Sequence, residues 1–143
     1  MTIAAILSGK GGDVVTAATG QKVAEAVALL AERRIGAVPV VGDDGGVAGV
    51  FSERDVIYCL EREGVAALER AVADVMTAPA VTVEPGDSAI AALALMTRRR
   101  IRHLPVVDRG RLVGIVSISD LVKYRIDRIE ADADAMRDYI QSA

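Results

Sequence analysis

With 143 residues, 52% of them hydrophobic, and a formal net charge of −3, the chain has the composition of one ordered globular domain with its own core. Three Tyr, one Phe and no Trp, together with the acidic balance, argue against a nucleic-acid-binding protein. No apolar run is long enough to span a bilayer, the first residues do not form an export signal, and the single cysteine, Cys59, excludes an internal disulfide, so we expect a cytoplasmic protein outside the membrane.

The first half of the chain predicts a strand, a helix, a hairpin and a second helix. Ser8–Gly12 (SGKGG) lacks the spacing of a phosphate-binding P-loop and predicts a flexible turn before a strand at Val14–Thr16. The β-branched runs AVPVV and VAGVF flank GDDGG and predict the hairpin, after which a helix starts near Asp55. Glu63–Thr77 predicts a helical connector. The first helix is indicated by apolar residues at i, i+3, i+4 and i+7, namely Val23, Ala26, Val27 and Leu30.

The second half predicts the same elements in the same order. A strand is expected at Val81–Val83, and the runs LPVV and LVGIV flank the turn DRG. From Asp120 onward the chain predicts one long helix, which is either packed on its own domain or covered by a partner subunit. The preceding helix carries the apolar stripe Ala89, Ala92, Leu93 and Met96, and the long helix carries a heptad-like seam at Val122, Ile126, Ile129, Ala133, Met136 and Ile140.

The two halves are copies of one sequence unit. ALLAERRIGAVPVV at residues 28–41 aligns with ALMTRRRIRHLPVV at residues 94–107, and this offset of 66 residues holds back to Asp13. A unit used twice has too few copies for a repeat array and predicts one pseudo-symmetric α+β domain, built from two β-α-β-β-α units. We divide the chain at residues 1–72 and 73–143 and expect two versions of one site.

The most specific motif closes each hairpin. Gly49–Asp55 (GVFSERD) and Gly114–Asp120 (GIVSISD) share the form G-h-x-S-x-x-D, in which h is hydrophobic. A single S-x-x-D is an ordinary helix cap. Two at equivalent places, each behind a strand ending in P-V-V, resemble the tandem CBS domains (cystathionine-β-synthase motifs) that form Bateman modules. The resemblance covers the chain from about residue 3 to residue 125.

The resemblance implies that the serine of each motif contacts a phosphate and that the aspartate accepts hydrogen bonds from ribose hydroxyls. These residues are Ser52 and Asp55 in the first half, and Ser117 and Asp120 in the second. Elementary chemistry agrees, because a helix N-terminus attracts phosphate and a carboxylate has acceptor sites for both hydroxyls of a ribose diol.

The other pocket residues follow from the resemblance by position. Thr16 and Thr82 lie on the first strand of each half, where the family contacts the base. Val38-Pro39 and Leu104-Pro105 would form the apolar wall of the adenine slot. The two prolines are explained equally well as strand residues with no ligand role.

The two predicted sites differ where a phosphate would lie. The second half has Arg102-His103 before its P-V-V strand, whereas the first half has Gly36-Ala37. The first half carries Arg54 beside its aspartate, where the second has Ser119. A guanidinium holds phosphate in a bidentate manner and glycine does not. We therefore expect AMP-like ligands to prefer the second cleft, and the first to suit a larger dinucleotide.

The predicted function is a non-catalytic adenine-nucleotide sensor. His103 has no second His or Cys with which to form a metal site, and no cluster of catalytic side chains is evident. The resemblance implies AMP, ADP, ATP, NAD(H) or S-adenosylmethionine as ligands, of which AMP and NAD(H) are favoured. A homodimer and an unidentified regulated target protein are expected partners. The alternative is a scaffold subunit with vestigial clefts, whose long helix binds a partner enzyme or transporter.

Overall fold

The computed structural model describes residues 1–11 and 14–142. Gly12 and Asp13, where the predicted turn ends and the sequence repeat starts, lie outside the described residues. The helices are α1 (Ile3–Lys10), α2 (Val23–Arg33), α3 (Glu53–Glu63), α4 (Val72–Val75), α5 (Ala89–Arg99) and α6 (Ile118–Ser142), and a 3-10 helix covers Gly64–Glu69. The strands are β1 (Ala17–Ala18), β2 (Ala37–Val41), β3 (Val47–Ser52), β4 (His103–Asp108) and β5 (Arg111–Ser117).

Each half contains the hairpin that its β-branched runs predict. In the first half, β2 pairs antiparallel with β3, and β1 adds to β2 in parallel, which gives a sheet in the order β1-β2-β3. In the second half, β4 pairs antiparallel with β5. The predicted strand at Val81–Val83 is reduced to one parallel bridge between Val83 and Val106. The first strand also lies later than predicted, at Ala17–Ala18 rather than Val14–Thr16.

These pairings confirm the pseudo-symmetric fold. Ala17 pairs with Val40, and Val83 pairs with Val106, so the same contact recurs at the offset of 66 residues that the repeat shows. Val83 donates its backbone N–H to the carbonyl of Pro105 at 3.0 Å, and Val107 donates to the carbonyl of Val83 at 2.8 Å. The short first strands are held in this way because β2 and β4 are buried and need partners for their backbone groups.

The prediction of a turn at Ser8–Gly12 is wrong for its described part, because Ser8–Lys10 form the last turn of α1. Ile3 and Ile6 on this helix are buried, at 0% and 7% exposure. The helix ends at Gly11, whose φ of 60° is easily adopted without a side chain. Burial of the apolar residues against the second half therefore stabilises a helix that the short sequence SGKGG does not suggest.

The connector is also not the single helix predicted over Glu63–Thr77. A 3-10 helix and the one-turn α4 are separated by extended backbone at Arg70. The backbone groups there bond to the start of α2: Val23 donates to the carbonyl of Arg70 at 2.8 Å, and Val72 donates to that of Gln21 at 2.7 Å. These bonds replace the helical ones, so a continuous helix cannot form.

The two halves exchange the segments that precede their first strands. Ile3 and Ile6 of α1 belong to the core of the second half, whereas Val75 and Met76 pack against the core of the first. The N-terminal segment, assigned to residues 1–72 by sequence, thus packs on residues 73–143, and the division of the chain at residue 72 stays a prediction.

The glycine of each G-h-x-S-x-x-D motif permits this exchange. A Cβ on Gly49 would lie 2.6 Å from the carbonyl oxygen of Thr77, and one on Gly114 would lie 2.7 Å from Cδ2 of Leu7. At Gly49 the neighbour is backbone and leaves no room for a side chain, and at Gly114 the Leu7 side chain would have to shift, so each glycine lets the incoming segment lie directly on the strand that leads to the motif.

Helix α6 projects from the second half. Leu121 is buried and Tyr124 is partly buried, but every residue from Arg125 to Ser142 is exposed. Its own domain thus covers only the start of the helix, and the predicted seam is open to solvent beyond that point. Within the described part of the chain, no helix combines the length and the apolar character needed to cross a bilayer.

Candidate functional site

Two clefts lie between the halves, and each contains the serine and aspartate of one motif. The Asp55 cleft, of about 900 Å³, is lined by Ser52, Arg54 and Asp55. The Asp120 cleft, of about 460 Å³, is lined by Lys10, Ile115 and Asp120. Five residues near the middle line both clefts, which are Gly36, Ala37, His103, Ser117 and Ser119.

Asp55 is held in place by the start of its own helix and by the connector. Its Oδ2 accepts hydrogen bonds from the backbone N–H of Ser52 at 2.9 Å and from the Ser52 hydroxyl at 3.2 Å. Its Oδ1 accepts the hydroxyl of Thr77 at 2.9 Å. Asp55 as a whole is only 7% exposed, and these charge-assisted bonds satisfy its carboxylate at the N-terminus of α3.

Asp120 has a similar position but a charged partner. Its Oδ2 accepts the backbone N–H of Ser117 at 2.8 Å and the ammonium of Lys10 at 2.8 Å. The Lys10 ammonium also donates to the carbonyl of Ile115 at 2.9 Å. Partial burial alone would raise the pKa of the Asp120 carboxyl, but the hydrogen bonds and charge of Lys10 and the bonds from Ser117 outweigh it, so the pKa is lowered.

His103 lies at the boundary between the two clefts. Its ring packs against the first half where residue 36 has no side chain: a Cβ on Gly36 would lie 3.4 Å from Cε1 of His103 and 3.3 Å from Oε1 of Glu53. Burial lowers the pKa of His103, although Asp120 and Glu53 oppose the shift. The imidazole is therefore largely neutral at pH 7, and a phosphate bound beside it would favour its protonated form.

The arginines are distributed differently from the prediction. Arg54, Arg99 and Arg102 all line the Asp55 cleft, and Nη1 of Arg54 donates to the carbonyl of Arg100 at 3.1 Å. The expectation that Arg102 would join Asp120 in one cleft is wrong: the Asp120 cleft contains Lys10 and Arg34 instead. Each cleft lies between the halves, so residues before β4 face the motif of the other half.

Six of the predicted site residues line neither cleft. Thr16 and Thr82 are exposed, while their neighbours Val15 and Val81 line the clefts. The predicted wall of the adenine slot is buried in the two cores, with exposures below 2%, and its residues are Val38, Pro39, Leu104 and Pro105. This position agrees with the alternative that the prolines are strand residues, and a nucleotide contact by any of the six stays a prediction.

Lys10 and Thr77 were missed by sequence reasoning. Thr77 bonds Asp55, Lys10 bonds Asp120, and each belongs to the segment before the first strand of the other half. A signal for both lay just outside the repeat: continued two residues beyond its start at Asp13, the offset of 66 residues carries Thr77 to Gly11, next to Lys10. Among residues 1–11 and 14–142, no group of three His, Cys, Asp or Glu side chains is placed to hold a metal ion.

Comparison with known proteins places this geometry in a family. The CBS domain model matches residues 11–62 and 72–127. Inosine-5′-monophosphate dehydrogenase from Mycobacterium bovis is 42% identical over 113 residues, which are 78% of this chain but only 20% of that enzyme. The chain thus spans about a fifth of the length of this relative.

Solved structures resemble most of the fold. A CBS-domain containing protein from Agrobacterium tumefaciens is 39% identical with a TM-score of 0.82, covering 87% of this chain and 92% of that one. A CBS domain protein from Pyrobaculum aerophilum, solved in complex with AMP, is 26% identical with a TM-score of 0.75, covering 84% and 89%. With two matched segments and two motif-bearing clefts, the chain belongs to the CBS domain family and contains a pair of CBS domains.

Proposed function

We propose that the chain is a non-catalytic regulatory module that binds adenine nucleotides of the AMP or NAD type in the Asp55 and Asp120 clefts. The observation that carries the proposal is that both motifs place a serine and an aspartate at a helix N-terminus inside a cleft between the halves. The AMP complex of the Pyrobaculum aerophilum relative supports this ligand class. The dehydrogenase relatives extend far beyond the matched region, and their activity is not part of the proposal.

Each cleft contains groups suited to the phosphate and groups suited to the ribose of a nucleotide. The N-termini of α3 and α6 present positive potential to a phosphate, to which the motif serines add a hydroxyl, although the first N–H of each helix already donates, from Glu53 to the carbonyl of Gly36 and from Ile118 to that of Arg102. The aspartates supply acceptors for ribose hydroxyls. Cations stand nearby, namely Arg54, Arg99 and Arg102 in the Asp55 cleft and Lys10 and Arg34 in the Asp120 cleft.

A panel of ligands tests the proposal most directly. A ligand that binds the native state raises its melting temperature, by an amount that grows with concentration over Kd. We expect AMP, ADP, ATP, NAD or NADH to raise the melting temperature of the protein, with S-adenosylmethionine as a comparison. If none of these ligands shifts the transition at millimolar concentration, the clefts are vestigial and the scaffold alternative is favoured.

Asp120→Ala tests whether the Asp120 carboxylate contributes to nucleotide binding. Loss of a hydrogen bond to a charged group costs about 1.5–3 kcal/mol, so we expect affinity in the Asp120 cleft to fall by roughly 10- to 150-fold in calorimetry. The stability of the fold should change by only about 1 kcal/mol, the value of a helix cap. Asp132→Ala, on the exposed part of α6, is the matched control. Unchanged nucleotide affinity would show that Asp120 serves only as a cap.

The exposed seam of α6 supports a second part of the proposal, a homodimer. Ile126, Ile129, Met136 and Ile140 are 49–65% exposed, an apolar stripe that the chain itself leaves uncovered. We expect Ile129→Glu with Ile140→Glu to convert a dimer into a monomer in light scattering, because both place a charge in the contact. Ala131→Glu with Ala135→Glu adds the same charge on the opposite face of the helix and should leave the dimer intact. An unmodified chain that is already monomeric would contradict the idea.

A further inference from the structure

We propose that Lys10 competes with a ligand ribose for Asp120 and thereby controls the sugar selectivity of the Asp120 cleft. The inference rests on the proposed function, because it concerns how that cleft holds an adenine nucleotide. While Lys10 is bound, only Oδ1 of Asp120 is open, and a ribose diol that places one hydroxyl on each carboxylate oxygen is held only when the ammonium leaves.

Lys10 is held at Asp120 by a fixed helix end. It is the last residue of α1, which is anchored by the buried Ile3 and Ile6 and by Leu7 lying on Gly114. From there its ammonium reaches Oδ2 of Asp120 at 2.8 Å and the carbonyl of Ile115 at 2.9 Å. The Lys10 and Asp120 side chains are 36% and 22% exposed. The pair therefore sits at the open side of the cleft, where a ligand can reach it.

The hydrogen bonds of Asp120 leave one oxygen for a ligand. Each carboxylate oxygen accepts about two hydrogen bonds, and Oδ2 already accepts those of Lys10 and Ser117. Oδ1 accepts none from the residues that the structure describes. A ribose diol bound through both oxygens must displace the Lys10 ammonium, whereas a 2′-deoxyribose needs only Oδ1. Lys10 thus weakens the binding mode in which the diol bridges both carboxylate oxygens, and it leaves the single-hydroxyl sugar unaffected.

In the Asp55 cleft, the residue that corresponds to Lys10 in its contact with the aspartate is the uncharged Thr77. There the bond from the exchanged segment comes from the hydroxyl of Thr77 to Oδ1 of Asp55, at 2.9 Å. A sugar hydroxyl that replaces Thr77 exchanges one neutral donor for another. In the Asp120 cleft the exchange breaks an ion pair, whose bonds lower the pKa of Asp120. The competition is therefore a property of the Asp120 cleft alone.

Calorimetry with AMP and 2′-deoxy-AMP tests the proposal through the ratio of the two affinities. All proteins would carry Arg54→Ala and Arg102→Ala, which remove cations from the Asp55 cleft only. Lys10→Met keeps the unbranched stem and removes the ammonium, and we expect it to raise the preference for AMP over 2′-deoxy-AMP by about tenfold, the effect of one recovered bond to a charged acceptor. Lys10→Gln should act in the same direction, which guards against a folding defect peculiar to one variant.

A control variant and three further outcomes separate the Lys10 proposal from the proposed function. Lys22→Met removes an ammonium that is paired with Glu69 on the surface and lines neither cleft, so it should leave the ratio unchanged. A lower affinity for both nucleotides, at a constant ratio, would show that Lys10 acts only as a general cation for phosphate and would overturn the competition. Binding with an unaltered ratio overturns the Lys10 proposal and leaves the proposed function standing. Absence of nucleotide binding by all of these proteins, and by the unmodified chain measured beside them, overturns both.

Discussion

Replacement of Phe51 by alanine is expected to lower the free energy of unfolding by about 3–5 kcal/mol, the usual cost of removing a large aromatic side chain from a core. Phe51 lies on β3 and is completely buried, at 0% exposure, in the core of the first half. The cavity that alanine leaves is surrounded by strand and helix residues that are fixed by their own hydrogen bonds, so little collapse is possible. Urea denaturation at pH 7 measures the change.

The same variant reports on how the two halves unfold. Each core is covered by a segment from the chain region assigned to the other half, since Ile3 and Ile6 pack in the second core and Val75 and Met76 pack against the first. We therefore expect one cooperative transition, shifted as a whole by Phe51→Ala. Ile57→Ala on the next helix, where the side chain is 64% exposed, should change stability by about 0.5 kcal/mol or less. Two transitions, of which only one moves, would show that the halves fold independently.

The elements predicted from the sequence are those whose signals are local. Both hairpins follow from β-branched runs around glycine-containing turns, and α2 and α5 follow from apolar residues at helical spacing. Helix α1 was missed because Ile3 and Ile6 find their packing partners only in the second half. Such a tertiary contact leaves no pattern in the local sequence. The connector departs from a helix for a similar reason, since Arg70 and Val72 bond to the start of α2.

The site shows the same limit. The sequence pattern placed Ser52, Asp55 and Asp120 in clefts because each motif is contiguous in the chain and closes a hairpin. It did not show which cleft receives Arg102, because this depends on how the two sheets face each other. Nor did it show Lys10 at Asp120, since the two residues are separated by 110 positions in the chain.

The position of the arginines changes the expected difference between the clefts. Arg54 from the first half and Arg102 from the second line one cleft, of about 900 Å³, whereas the Asp120 cleft is about 460 Å³ and contains neither. A large cleft with several guanidinium groups suits a ligand with more than one phosphate, such as ATP or NAD. We expect such ligands to prefer the Asp55 cleft, and mononucleotides to be accepted by both.

Combined replacement of Arg54 and Arg102 by alanine is expected to weaken ATP or NAD binding in the Asp55 cleft by about 100-fold or more. Each hydrogen bond from a guanidinium to phosphate contributes roughly 1.5–3 kcal/mol, and tenfold in affinity corresponds to about 1.4 kcal/mol. Arg98→Ala with Arg111→Ala removes the same charge from exposed positions that line neither cleft, and should have little effect. Calorimetry should also show each single replacement acting on the same site, with the Asp120 cleft unchanged. If Arg54→Ala and Arg102→Ala weaken two different sites, the clefts are assembled as the sequence alone suggested, and the arrangement described for Arg102 is wrong.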